Sequence, residues 1–251
     1  MDSKAIVMRY VSEVFGARDA VAVDRWVHPN YIQHNVGMKD GSGVVRKIVR
    51  YIRDDFRIET HRVVASDNMV ALQSTYHGLG PEPVVVFDIF RVDDGRIVEH
   101  WDAFRKCAGT VGGHTTTDGP TEIVDRDRTD ENRRLVAGFI EHVLVSEITI
   151  DIADYINIDR FRQHNPYMND GVDGFMAGMA TLATMGKKHV YEKLHIVVAE
   201  GNFVITVSEG RRGEVLVAFY DLFRVDDGKI VEHWDAVLVI PDNIPHNNGA
   251  F

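Results

Sequence analysis

The sequence predicts an α+β fold built twice in tandem, and three observations predict it. The segment Phe90–Ala103 recurs almost unchanged as Phe223–Ala236, with Arg96 replaced by Lys229. Gln33-His34-Asn35 followed by Asp40-Gly41 recurs as Gln163-His164-Asn165 followed by Asp170-Gly171, and His61–Ala65 matches His195–Ala199. Within each copy, helical spacing comes first and β-rich runs follow. That order favours helices packed on an antiparallel sheet over a parallel βαβ array.

The elements follow from spacing. Ile6, Val7, Tyr10, Val11 and Val14 set an amphipathic helix over Lys4–Phe15. Its counterpart is Glu131–Val145, opening after Asp130, a residue type that caps helix starts. A short helix near Ala20–Val27 (Ile152–Ile156 in the second copy) leads to the Gln-His-Asn segment. A third helix spans Ser42–Arg53 and Val172–Met185. Strands are then expected at Arg57–Ala65, Met69–Tyr76, Pro83–Val92 and Arg96–Phe104. Asp93-Asp94-Gly95 and Asp226-Asp227-Gly228 mark the last hairpin of each copy. Turn residues crowd Gly109–Asp130, so the division is a domain at 1–115, a linker at 116–129 and a domain at 130–251.

Composition excludes several function classes. The chain has 251 residues and a formal net charge of −10, which opposes nucleic acid or an anionic membrane as the main partner. A single cysteine, Cys107, rules out an internal disulfide framework and a zinc site of several thiolates. No apolar run approaches the roughly 20 residues of a bilayer span, and no signal-peptide core opens the chain. A cytoplasmic protein handling a small molecule or another protein is the expectation.

Polar residues in apolar strands mark the candidate site. By alternation, Glu99 and Trp101 share one face of the last strand, and His100 and Asp102 the other. Asp88 sits among Val84–Phe87, Ile89 and Phe90, where a carboxylate is costly without a partner. The second copy repeats the set as Asp221, His233, Trp234 and Asp235. Asp88 reads equally as a pin for a loop, His100 as a structural histidine, and Trp101 and Trp234 as core aromatics. Asp102 reads better as functional, because an acid among apolar groups has its pKa raised toward proton-transfer work. Whether Asp88 faces His100 and Asp102 depends on hairpin register.

With these residues in view, the chain resembles the SnoaL-like polyketide cyclase family of the NTF2-like superfamily. The resemblance rests on Tyr31–Asn35, Asp40-Gly41, Asp88 and Phe90–Ala103, with Phe161–Pro166, Asp170-Gly171, Asp221 and Phe223–Ala236. It implies two cone-shaped α+β barrels, each a curved antiparallel sheet around helices, forming an intrachain pseudo-dimer open to further homo-oligomers. It also likens the tail through Gly112-Gly113-His114 and Asp118-Gly119 to an arm that crosses to a partner. By resemblance, Asp102 and Asp235 are candidate bases, and His34 and His164, or His100 and His233, are donors or orienters. Asp88 and Asp221 would orient a histidine, with Asn35, Asn165, Trp101 and Trp234 lining a site for a small apolar carbonyl compound. The implied chemistry is an aldol-type cyclisation or isomerisation without metal or cofactor.

Arg105 and Leu238 stand where many relatives carry Gln, and Val36 stands where the second copy has Pro166. Either half, or both, can be the active one on this reading. Competing readings are a non-catalytic small-molecule binder, an epoxide hydrolase or dehydratase, and an interaction role for the paired domains. A metal held by His34, His100 and Asp102 is the remaining chemistry.

Overall fold

A computed structural model describes residues 1–148 and 151–251. The chain divides into two compact units: Met1–Cys107 with Pro241–Phe251, and Ala108–Ile240.

Unit 1 opens with α1 (Ser3–Tyr10). The Asp2 side chain accepts a bond from the Ala5 amide (2.7 Å), satisfying one of the free donors of the first turn. Ile6, Val7, Tyr10 and Val14 form the buried stripe that the spacing predicts. Past Tyr10 the helix widens into a π-helical turn, Val11–Gly16, which the sequence pattern does not signal. There follow α2 (Val23–Trp26), β1 (Val27–Gln33), α3 (Gly43–Tyr51), β2 (Arg57–Ser66), β3 (Met69–His77), β4 (Val84–Asp93) and β5 (Arg96–Lys106).

The strand order is β1-β5-β4-β3-β2. All neighbours are antiparallel except β1, which runs parallel to β5. The four strands expected from the sequence are antiparallel as read, and β1 is an additional edge strand. Pro29 and Asn30 hide β1 in the sequence, since both residue types are depleted in strands. The chain accommodates them at a sheet edge, with a register shift between Val27 and Ile32. The β4–β5 turn places Asp94 at φ 45° and Gly95 at φ 74°, the paired positive values a two-residue hairpin requires.

Unit 2 repeats the order: α4 (Thr129–Gly138), α5 (Ile152–Tyr155), β6 (Arg162–Gln163), α6 (Gly171–Thr184), β7 (His189–Glu200), β8 (Phe203–Arg212), β9 (Val215–Asp226) and β10 (Lys229–Val239). A π-helical turn, Phe139–Val145, again follows the first helix. The sheet order is β6-β10-β9-β8-β7, with β6 parallel to β10. Both units are thus α+β, each a five-stranded sheet with helices. Each has its own core, one around Val7, Val14, Leu72 and Ile97 and the other around Val136, Ile140, Val204 and Ile230. Among the described residues, no helix is long and apolar enough to cross a membrane.

Candidate active site

Register settles the first question about the acids. Asp88 on β4 lies directly opposite Asp102 on β5, so both point to one face. Two like charges facing each other across a strand pair repel unless something lies between them. His100, two residues before Asp102 on that face, is the partner of Asp88, with Nε2 3.0 Å from Asp88 Oδ1. All three are buried, at 3%, 4% and 8% exposure for Asp88, Asp102 and His100. The Tyr76 hydroxyl donates to the other Asp88 oxygen (2.8 Å).

Gln33, at the end of β1, fixes the protonation of His100. Its Oε1 accepts the Asn35 backbone N–H (2.9 Å), which sets the amide's orientation. The same oxygen lies 3.1 Å from His100 Nδ1, so Nδ1 carries a proton. Facing the Asp88 carboxylate, Nε2 carries one too, and His100 is an imidazolium. Burial pulls the His100 pKa down, but the hydrogen bond it donates to Asp88 and the charges of Asp102 and Asp88 outweigh it, and the value rises. Gln33→Leu is expected to strip His100 Nδ1 of its acceptor and cost about 1–3 kcal/mol. Urea denaturation reads that loss, and the ring ¹⁵N shifts would show His100 moving to a single-proton form at neutral pH.

Asp102 is held differently. The Asn35 amide nitrogen lies 2.7 and 2.8 Å from its two oxygens. Burial pushes its pKa up, His100 and the Asn35 bond pull it back, and the charge of Asp88 pushes it further, to about 6. One carboxylate is therefore tied to a cation, and the other is poised to take or give a proton near neutral pH.

The cavity above these groups measures about 80 Å³. Its walls include Phe15, Val45, Ile48, Phe56 and Phe90, with His100 and both acids at its floor. Tyr10 and Tyr31 add two hydroxyls. Burial, with the nearby charges of Asp88 and Asp102, holds both phenols far above their ordinary range, so they stay protonated donors. Tyr31 Oη accepts from Gln33 Nε2 (3.3 Å), which leaves its own proton to give.

Unit 2 keeps the framework and loses the space. His233 Nε2 lies 2.9 Å from Asp221 Oδ1, its Nδ1 lies 3.0 Å from Gln163 Oε1, and Asn165 donates to Asp235 (2.8 Å). Asp221 is raised by burial against the opposing pull of His233. The cavity over Asp221 and His233 has shrunk to about 10 Å³, room for one water at most, and Asp235 does not line it. Phe139, Phe161 and Phe175 line it, where unit 1 has Tyr10, Tyr31 and Val45. A cleft of about 480 Å³ lined by Arg160, Arg162 and Arg224 is open to solvent and contains neither acid.

His34 and His164 stand apart from the acids. His34 Nε2 binds Glu99 (2.8 Å), Nδ1 meets the Gly249 carbonyl (3.1 Å), and the ring stacks on Trp101 at 4.6 Å. His164 likewise binds Glu232 (3.1 Å) and the Thr115 carbonyl (2.8 Å) and stacks on Trp234 at 4.4 Å. These histidines and both tryptophans occupy the face of β5 and β10 that carries the glutamates, away from either cavity. On that face, burial raises Glu232, but bonds from His164 and Arg224 and their charges more than reverse it.

Sequence reasoning passed over the tyrosines. Tyr10 and Tyr31 align with Phe139 and Phe161, a difference visible once the copies are overlaid. Tyr76 has no such signal, because its task moves to another strand in unit 2. There Tyr191 on β7 reaches Asp221 (3.2 Å), beside Gly210 on β8. A Cβ on Gly210 would sit 2.1 Å from the Val190 carbonyl oxygen and 2.8 Å from the Phe219 ring, on which Tyr191 stacks at 4.1 Å.

Asp88, His100 and Asp102 also offer ligand atoms within 4.8 Å of one another, the arrangement a divalent metal would use. Both His100 nitrogens, however, are spent on hydrogen-bond acceptors, so the ring has no lone pair for a metal while it stays an imidazolium.

Residues 7–100 match the family model of the SnoaL-like domain, a span that ends just before Trp101 and Asp102. Solved structures resemble a stretch about one unit long. IdmH from Streptomyces antibioticus, a proposed polyketide cyclase, is 18% identical over 41% of this chain and 92% of its own, with a TM-score of 0.36. A steroid delta-isomerase from Pseudomonas aeruginosa is 25% identical over 42% and 81% (TM-score 0.36). An LEH-like epoxide hydrolase from M. tuberculosis is 25% identical over 41% and 82% (TM-score 0.35). No functionally curated protein matches the chain.

Proposed function

We propose that unit 1 is an acid–base catalyst acting on a small, mostly apolar carbonyl compound, and that unit 2 is a second SnoaL-like domain that has kept the fold and lost the site. The observation that carries this reading is Asp102, a carboxylate with a pKa near 6 at the floor of an apolar cavity. As base, Asp102 takes the proton from the carbon beside the carbonyl. The C–H electron pair moves into the carbonyl, and the enolate oxygen accepts hydrogen bonds from the Tyr10 and Tyr31 hydroxyls. The enolate carbon then attacks a second carbonyl, whose oxygen takes the proton back from Asp102 to complete an aldol-type ring closure, or a conjugated dienolate takes that proton back at its far carbon, giving an isomerisation. Asp88 keeps His100 charged, and that cation steadies the Asp102 anion.

The test is proton exchange. Small cyclic and aryl ketones incubated with the protein in D₂O should gain deuterium at the α-carbon, followed by NMR. Because the base must be ionised, the rate should climb with pH through about 6 and then level. Ketones that bind without exchange at any pH would replace catalysis with plain binding. Hydration of an epoxide instead would keep Asp102 as base but move its target to water, with the Asp88–His100 pair on the acid side.

A further inference from the structure

The residues that tune Asp102 and His100 lie at the outer edge of the unit 1 sheet. Gln33, His34 and Asn35 end β1 and begin the loop after it, and β1 has only β5 beside it. The side chains of Gln33 and Asn35 turn inward to His100 and Asp102, while their backbone carbonyls turn the other way. The chain's last segment, Pro241–Phe251, meets those carbonyls. Asn248 Nδ2 donates to Gln33 O (3.0 Å), and His246 Nε2 lies 3.1 Å from Asn35 O. Between them, Gly249 O takes His34 Nδ1 (3.1 Å). The Asn248 amide donates to His246 Nδ1 (3.3 Å), so that nitrogen holds no proton and Nε2 is the one that donates to Asn35. Three consecutive residues are thus each gripped by the terminal segment. Two of them send the side chains that set the protonation of the site.

We propose that the chain's C-terminal segment is a positioning element of the unit 1 site, acting through Asn248 and His246 on Gln33 and Asn35. Unit 1 is complete only once the far end of the chain, beyond all of unit 2, has reached it. The His34 N–H to His100 O (2.9 Å) and Met38 N–H to Asn35 O (3.1 Å) bonds stay in place when the segment is released, but loss of the Asn248 and His246 contacts loosens the Asn35 amide from Asp102 and Gln33 from His100 and changes both titrations. A misplacement of this kind lowers turnover more than binding.

The experiment uses the full chain with Asn248→Ala and His246→Ala made separately, each removing one contact. The Asp102 carboxyl ¹³C and His100 ring ¹⁵N signals are followed against pH. Loss of the Asn35 bond, which lowers the Asp102 pKa, should raise its midpoint by about half a unit or more. Ketone exchange should lose about tenfold or more in kcat with KM little changed. Asp118→Asn, in the segment that contacts His164 in unit 2, is the control and should leave Asp102 where it is. Unmoved titrations in both variants would overturn the proposal, and so would an equal shift in the control. The inference rests on Asp102 being the base, but the two readings fail separately. The native midpoint tests the base, and the shift between chains tests the segment.

Discussion

Asp102→Asn is expected to resist urea better than the native chain near neutral pH while losing most of its proton exchange. The two effects share one cause. Burial raises the Asp102 pKa from 3.8 to about 6, so the folded state holds that proton over a range where the unfolded chain has released it. For a carboxylate raised on folding, stability is highest below the unfolded pKa. It falls as pH climbs from about 4 to about 6 and stays low above that. A shift of that size corresponds to about 3 kcal/mol of penalty at neutral pH. Asparagine removes the charge and keeps the shape, though it exchanges one of the two Asn35 contacts for a poorer one, a loss of about 1 kcal/mol. The net gain should be about 1–3 kcal/mol at pH about 7.5 and should vanish at pH about 4. Exchange should fall by about 10²–10⁴, the range a positioned base contributes. Urea denaturation of both chains at the two pH values, with the exchange assay at the higher one, reads both. A variant less stable at both pH values would show that Asp102 is a structural acid satisfied in the native fold. Asp235→Asn should leave exchange unchanged, because Asp235 does not line the small cavity over Asp221 and His233.

The same conflict between burial and charge explains which parts of the site are legible in the sequence. Asp88, His100 and Asp102 stood out because each breaks an apolar alternation, and their repetition as Asp221, His233 and Asp235 made chance untenable. The hairpin was legible for the same local reason, since Asp-Gly turns need positive φ and the structure supplies it. β1 was not legible, because Pro29 and Asn30 obscure its pattern and its pairing partner lies far along the chain. His34 follows the apolar pair Tyr31-Ile32, yet strand alternation cannot assign its face where Pro29 and Asn30 hide the strand. Nothing local shows that Pro241–Phe251 belongs with unit 1. Long-range pairing of that kind leaves no periodicity to find.

Overlaying the two repeats sets Val45 against Phe175 beside the two cavities, and exchanging it is expected to close the unit 1 cavity without touching an acid. Val45 follows Asp40-Gly41 at the same distance that Phe175 follows Asp170-Gly171, and each lies on the third helix of its unit facing the site. Val45 borders the cavity of about 80 Å³, and the Phe175 ring packs edge-on to Phe161 at 6.3 Å in the one that has closed. Val45→Phe places an aromatic ring where substrate would sit. Because the space already exists, the fold should bear it for less than the roughly 1–3 kcal/mol of ordinary overpacking. Exchange should drop by about 100-fold or more, the effect of denying the substrate its approach to a base whose own bonds are intact. The Asp102 ¹³C midpoint should stay at about 6 or rise, since the ring displaces water from the carboxylate. An unchanged exchange rate would mean that chemistry takes place elsewhere. The reverse change, Phe175→Val, should cost unit 2 about 2–3 kcal/mol by opening a void and still confer no exchange. Phe139 and Phe161 lack the hydroxyls that Tyr10 and Tyr31 bring in unit 1, and a base facing an enolate with no donor gains little. Conferring activity on unit 2 would require the space and both hydroxyls together, and adding Phe139→Tyr and Phe161→Tyr to Phe175→Val is the direct way to measure how much of the site is shape and how much is hydrogen bonding.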